Sequence, residues 1–211
     1  MDVELDANFW DDKYRASDAV WSGEPNEQLI AESSDLPPGI ALDVGCGEGA
    51  DAIWLAQHGW RVTASDISAV ALERGRAQAA HLGEDVARRI EWLRADLLAW
   101  EPPAGTYDLV SAHFMHFASP QREIAFRRLA GAVKPNGTLL IVAHHPSDLQ
   151  TTAKRWPMPE YFYTAHDVAA SLAPQNWDIL VEESRPRRIA DPNGDIITIH
   201  DAILRARRRG R

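Results

Sequence analysis

Asp43, Gly45, Gly47 and Gly49 form an Asp-x-Gly-x-Gly-x-Gly run, the strongest chemical signal in the sequence. Glycine accepts tight turns and leaves no Cβ between the peptide plane and a ligand. The spacing Gly45-x-Gly47-x-x-Ala50 also meets a loose dinucleotide fingerprint, so the glycines alone do not select a ligand. Asp43 tilts the choice. An anion beside the turn repels a pyrophosphate and attracts an ammonium. S-adenosylmethionine (SAM) carries an α-ammonium, a sulfonium and no phosphate, so it suits this run better than NAD. Cys46 lies within the turn and belongs to the expected contact set.

Two further carboxylates stand where a nucleoside needs them. Asp66, with Ile67 beside it, ends a second apolar run, where a carboxylate accepts from ribose hydroxyls. That ribose is common to NAD and SAM, so Asp66 does not discriminate. Its ordinary alternative is a helix cap, but Ser68 is the better cap, which leaves Asp66 for a ligand. Asp96 follows a third run. It is positioned to accept from an adenine amino group, with Leu97 covering the ring, although an ordinary loop aspartate would look the same. His113 and His116 follow a fourth run, where an imidazole can line a ligand or serve as general base. His-x-x-His lacks a third ligand nearby, so no metal site is expected.

These residues need a framework that brings strand ends together. Ile40–Val44 reads as a strand buried on both faces, followed by the glycine turn and a helix start. Strands are expected near 40–44, 60–65, 89–94, 107–112 and 137–143. Helices are expected near 48–58, 68–81, 120–132 and 164–173. An N-terminal helical segment spans about 6–34, interrupted near Ser22–Pro25. The chain ends in two strands near 177–184 and 196–206, joined by the turn Asp191–Asp195. Alternating strands and helices followed by a hairpin define an α/β fold with a mostly parallel sheet. Ligands bind such sheets outside the carboxyl ends of the strands.

The stretches ALDVGCGEGADAIWLA (41–56), VTASDIS (62–68), RADLLAW (94–100), YDLVSAHFMHF (107–117) and LAGAVKPNGTLLIVAHH (129–145) resemble class I SAM-dependent methyltransferases. The opening Phe9–Tyr14 and Trp21–Asn26 is similar to small bacterial methyltransferases of the thiopurine and tellurite-resistance type. The resemblance implies a Rossmann-like seven-stranded sheet of order 3-2-1-4-5-7-6, with the last strand antiparallel and helices on both faces. It also implies a single domain over 1–211, in which residues 1–35 form a helical lid closing over SAM. Tyr14 and Trp21 are then lid residues, with a cation–π rationale beside a sulfonium. The fourth-strand end faces the transferable methyl, which places His113 against the cofactor and makes His116 the candidate catalytic residue. Residues 146–163, with Arg155, Trp156, Tyr161 and Tyr163 among breaking prolines, form the expected substrate cover. His200 on the last strand is left unassigned.

Composition limits what the chain can do. Its 211 residues, 45% hydrophobic and 25% charged, suit one globular domain with a sizeable core. A net charge of −9 disfavours nucleic acid, despite the basic tail Arg205–Arg211. The single Cys46 excludes an internal disulfide. No signal peptide or bilayer-spanning run is expected, so cytoplasm is the default location. The expected activity is methyl transfer from SAM to a small acceptor, a thiol, a chalcogen or similar. The fourth strand is followed by His113-Phe114-Met115-His116, not the Asn/Asp-Pro-Pro-Tyr/Phe signature of exocyclic amino methylation. An NAD-dependent oxidoreductase and a non-catalytic SAM-binding sensor remain as alternatives. Asp43, the terminal hairpin and the lack of a second domain count against the oxidoreductase.

Overall fold

A computed structural model describes residues 5–155 and 158–210. Trp156 and Arg211 lie outside the described residues. Seven strands form one sheet in the order β3-β2-β1-β4-β5-β7-β6. They are β1 (Ile40–Val44), β2 (Arg61–Asp66), β3 (Ile90–Arg94), β4 (Tyr107–His113), β5 (Val133–His144), β6 (Trp177–Ala190) and β7 (Ile196–Arg208). The strands from β3 across to β5 pair in parallel, and β7 pairs antiparallel with both β5 and β6. The expected order and the antiparallel last strand are both present.

Seven α-helices accompany the sheet: α1 (Ala7–Arg15), α2 (Glu27–Ser33), α3 (Ala50–Gln57), α4 (Ala69–His81), α5 (Glu84–Ala87), α6 (Gln121–Ala132) and α7 (Ala165–Ser171). The central strands bury both faces, as their continuous apolar runs require. Leu42, Val110, Leu139 and Ile141 pack with Phe126 and Leu129 of α6. Residues of opposite parity, Ala41, Leu109, Leu140 and Val142, pack with Leu29 of α2 and Leu55 of α3. Asp43 therefore lies on the α3 face, in register with Ser111 of β4. His113 stands two residues further along that face, so strand alternation puts all three polar side chains on one side of the sheet.

The structure departs from the sequence expectations in several places. The N-terminal helical segment is broken over 16–26, more widely than the Ser22–Pro25 interruption. The short α5 carried no periodic signal. Lys134–Thr138 extends the fifth strand ahead of its expected start near 137. It lies inside β5, with Asn136 at φ 66° and an irregular pairing between Tyr107 and Leu109. Its Lys134 also forms an ion pair with Asp108.

The two last strands are longer than expected. Asp201–Arg207 pairs with β5, whereas Ile196–His200 pairs only with Pro186–Ala190 of β6. That ribbon runs beyond the carboxyl end of β5, on the side where the glycine turn lies. β6 is the sheet's outer strand and exposes Glu182, Glu183, Pro186 and Arg188.

Gly49 and Gly75 share a neighbour that explains both. A Cβ on Gly49 would stand 2.3 Å from the Trp92 ring, and one on Gly75 would stand 2.5 Å from it. Trp92 of β3 thus fills the gap between α3 and α4, and glycine is what lets it in. We expect Gly75→Ala to lower unfolding free energy by about 1–2 kcal/mol, because overpacking outweighs the gain in helix propensity. A urea melt should show a lower midpoint at unchanged slope. An unchanged midpoint would mean that Trp92 moves aside freely.

Candidate cofactor site

The glycine turn is built on the neighbouring strand. The N–H groups of Gly45 and Cys46 both donate to the Ser65 carbonyl, at 2.8 and 3.1 Å. Asp66 then fixes the turn from the side, its Oδ2 accepting from Gly47 N at 2.8 Å and its Oδ1 from Ser68 N at 2.8 Å. Ser68 caps α4 by accepting from Ala71 N, as its position suggested. Asp66 is therefore not idle, since each oxygen already accepts one N–H. A carboxylate oxygen has two acceptor sites, so one on each remains for hydroxyl donors. Burial raises the Asp66 pKa despite these N–H donors.

Asp43 is 2% exposed at the end of β1. Ser111 Oγ donates to its Oδ1 at 3.2 Å, and its Oδ2 is buried without a partner among the described residues. Burial, reinforced by Asp51, lifts its pKa above the ordinary carboxylate range, and nearby His113 opposes this. A buried carboxylate with one unpaired oxygen is costly unless a donor or cation reaches it.

Asp51, in the first turn of α3, was not singled out from sequence. Its Oδ1 accepts from Asn26 N at 2.6 Å, and its Oδ2 lies 2.6 Å from His113 Nδ1. The His113 side chain is only 6% exposed, and its Nε2 is buried without a partner. Burial opposes charge on this imidazole, but the Asp51 contact and the carboxylates of Asp43 and Asp201 outweigh it and raise the pKa. The pairing joins residues 62 positions apart, which no local spacing signals.

The N-terminal segment lies directly over the turn. A Cβ on Gly47 would stand 2.9 Å from Tyr14 Oη and 3.2 Å from Trp21 Nε1, and Trp21 Nε1 donates to Tyr14 Oη at 2.9 Å. Tyr14 is buried, and burial pushes its phenol pKa up. Glu48, within the turn itself, accepts from Val20 N and Trp21 N at 3.1 and 3.2 Å and from Arg74 Nη1 at 2.9 Å. Arg74 Nη2 also donates to the Ser17 carbonyl at 2.7 Å. These bonds draw residues 17–21 away from a helical course, which is why the break is wide.

The remaining candidates scatter more. Asp96 is partly exposed, and its Oδ1 accepts from Leu98 N at 2.8 Å, an ordinary turn bond. Leu97 is 4% exposed and packs into the core under α6. Ile67 is partly buried beside Asp66. Cys46 is partly buried, with its thiol pKa pushed up by burial. Gly45 faces Met115, and Gly49 faces Trp92 rather than the turn's open side.

Beyond β4 the chain kinks at Phe114, whose φ of 53° is unusual for a bulky residue. Phe114 stacks on His144 at 4.4 Å, His116 stacks with the same imidazole at 5.7 Å, and Tyr161 lies 6.5 Å from His116. Arg155 of the covering segment donates twice to the fully buried Asp148. Among the described residues no acidic, histidine or cysteine group has metal-site geometry, and no helix is long and apolar enough to cross a membrane.

The donor set fits SAM. Asp43 offers a buried unpaired oxygen for an ammonium, and Asp66 has residual acceptors for a ribose, while Gly45 and Gly47 let Met115, Tyr14 and Trp21 close against the turn. Residues 41–137 match the methyltransferase domain family. "Probable thiol methyltransferase 2" of Arabidopsis thaliana is 31% identical over 142 residues, covering 65% of this chain and 62% of the relative. An uncharacterized methyltransferase of Mycobacterium tuberculosis is 40% identical over 127 residues, covering 59% and 61%. The chain thus spans less than two thirds of the length of these relatives. A solved structure concerned with conversion of a disulfide bond into a thioacetal group during echinomycin biosynthesis superposes with TM-score 0.74 at 23% identity, covering 96% of this chain and 91% of the other. TehB from Haemophilus influenzae superposes at 0.69 with 17% identity, covering 95% and 67%. These two show the fold.

Glu48→Ala removes the anchor of residues 17–21 while leaving the sheet untouched. Trypsin should then cut after Arg15 at least about threefold faster, because local opening of the segment becomes cheaper. Global stability should fall by only about 1 kcal/mol. An unchanged cleavage rate would show that Tyr14 and Trp21 hold the segment without Glu48.

Proposed function

We propose that this chain is a class I SAM-dependent methyltransferase, that its cofactor is SAM, and that it transfers the methyl group to a small, soft nucleophile such as a thiol or chalcogen. SAM, when bound, supplies an electrophilic methyl group on a sulfonium. The protein's own contribution is to hold both partners in line and exclude water.

In this reading the 211 residues act as one domain, with residues 1–35 as the lid and 146–163 as the acceptor cover. Asp43 takes the ammonium of the cofactor, with Gly45, Cys46 and Gly47 beneath its methionine part. Asp66 takes the ribose hydroxyls with Ile67 alongside, and Asp96 and Leu97 lie towards the adenine. Gly49 acts by admitting Trp92. Tyr14 and Trp21 close over the turn.

The acceptor class is supported by the similarity to a probable thiol methyltransferase, and the environment of His116 bears on whether such an acceptor meets a base. Burial, then Lys13 and Arg155, lower its pKa to about 4. Burial, then Arg155, lower that of His144 to about 2. An imidazole so depressed is a poor proton acceptor. Deprotonating an ordinary thiol through it would run about 6 kcal/mol uphill. The cations that depress these imidazoles favour an acceptor that arrives already ionised. We therefore assign His116 to the wall of the acceptor site, not to general base catalysis. The overall charge of −9 also favours a small acceptor over nucleic acid. The dinucleotide alternative falls with the family assignment.

The test is formation of S-adenosylhomocysteine (SAH) with hydrosulfide, thiophenol and an alkyl thiol across pH. The rising limb of kcat/KM should follow each acceptor's own pKa. His116→Gln should lower the rate less than about tenfold, whereas loss of a general base costs about 10²–10⁴-fold. A rising limb shared by all acceptors and abolished by His116→Gln would restore the general base. No SAH with any thiol or chalcogen would overturn the acceptor class, and SAM binding without turnover would favour a sensor.

A further inference from the structure

We propose that Asp43 and His113 form a matched pair that reads the zwitterionic end of the cofactor, Asp43 taking its ammonium and His113 its carboxylate. This rests on the SAM reading above and goes beyond it by giving the carboxylate a dedicated partner.

Five buried side-chain atoms lack a partner among the described residues, and two of them, on Asp43 and His113, stand together beside the glycine turn. Asp43 Oδ2 and His113 Nε2 are both unpaired among the described residues, on side chains 2% and 6% exposed. They lie on one face of the sheet, on adjacent strands, at the carboxyl end beside the glycine turn. Unpaired buried polar atoms are rare, and two together at a ligand-binding edge point to a ligand with two complementary groups. An amino-acid head has a cation and an anion on one carbon.

His113 is prepared for the anionic half. Asp51 holds Nδ1 at 2.6 Å, which orients the ring and leaves Nε2 as the free end. Three carboxylates act on this imidazole: Asp51 from α3, Asp43 from β1 and Asp201 from β7. Together they favour the protonated ring, whose Nε2–H then donates to a carboxylate as a charge-assisted bond. Arg187 Nε donates to Asp201 Oδ2 at 2.8 Å, while Asp201 Oδ1 is buried without a partner among the described residues. Asp51 is a positioning residue here: it touches the imidazole, not the cofactor.

Calorimetry separates the two halves of the head group. The ligands are SAH and its analogue lacking the carboxylate but keeping the amine. Wild-type protein should bind SAH about tenfold to a hundredfold more tightly than the analogue. The ratio should fall as pH rises through the His113 pKa, because the neutral ring loses its Nε2–H while Nδ1–H stays with Asp51. In His113→Phe the ratio should collapse towards one with the analogue's affinity little changed. His113→Gln, which keeps an uncharged N–H donor, should retain part of the ratio and lose its pH dependence. A ratio that survives His113→Phe, or that is flat with pH in the wild type, overturns the assignment while leaving the cofactor reading intact. If His113→Phe does not fold, the wild-type pH series decides alone. Failure of wild-type protein to bind either ligand overturns both.

Discussion

One carboxylate ties the site together. Asp66 accepts from Gly47 N and from Ser68 N, so a single side chain at the tip of β2 fixes both the turn after β1 and the start of the loop into α4. Charge-assisted bonds from backbone N–H groups are strong and directional. The turn in turn presents Glu48, which gathers Val20 and Trp21, and those residues bring the N-terminal segment across Gly47. Asp11 closes the circuit from the other end of that segment, accepting from Ser68 Oγ at 2.6 Å. The covering segment and the turn are thus parts of one hydrogen-bonded unit centred on the β1 and β2 tips.

A second polar unit lies beside the first and obeys a different rule. Asp43, Ser111, Asp51 and His113 are buried together, yet they do not satisfy one another completely. Such a cluster is poor for stability, since desolvation outweighs what partial pairing returns. In the proposed reading, the amino-acid head of the cofactor completes it. The strong packing of Leu42, Leu109, Leu139 and Leu140 around the same strands provides the stability against which this incompleteness is tolerated.

The sheet was legible because its signals are local. The apolar run Ile40–Val44 coincides with β1, and the strand order is the one that the resemblance implies. Most other elements lay within a few residues of expectation. Asp43, Gly45, Gly47 and Asp66 were legible for the same reason, each being at a strand end with a recognisable turn after it. Asp51 and Glu48 were not. Their partners, His113 and Val20, are distant in sequence, and only the closed sheet brings them near. Gly49 was legible as a glycine but not in its purpose, because the Trp92 ring arrives from another strand. Leu97 shows another limit: its position after β3 suggests a ring contact, and its side chain also packs in the core beneath α6, a contact that no local spacing signals.

The outer strand β6 carries a consequence for how copies of the protein meet. An uncovered strand edge is a template for adding another strand, and a long one invites aggregation. Here the edge is interrupted by Pro186, which lacks the N–H that an incoming strand would need, and flanked by Glu182, Glu183 and Arg188 in solvent. Any chain zipping onto this border would have to strip water from those charges and leave a carbonyl opposite the proline unmatched. The ribbon that runs beyond the carboxyl end of β5 therefore also guards the β6 edge against added strands.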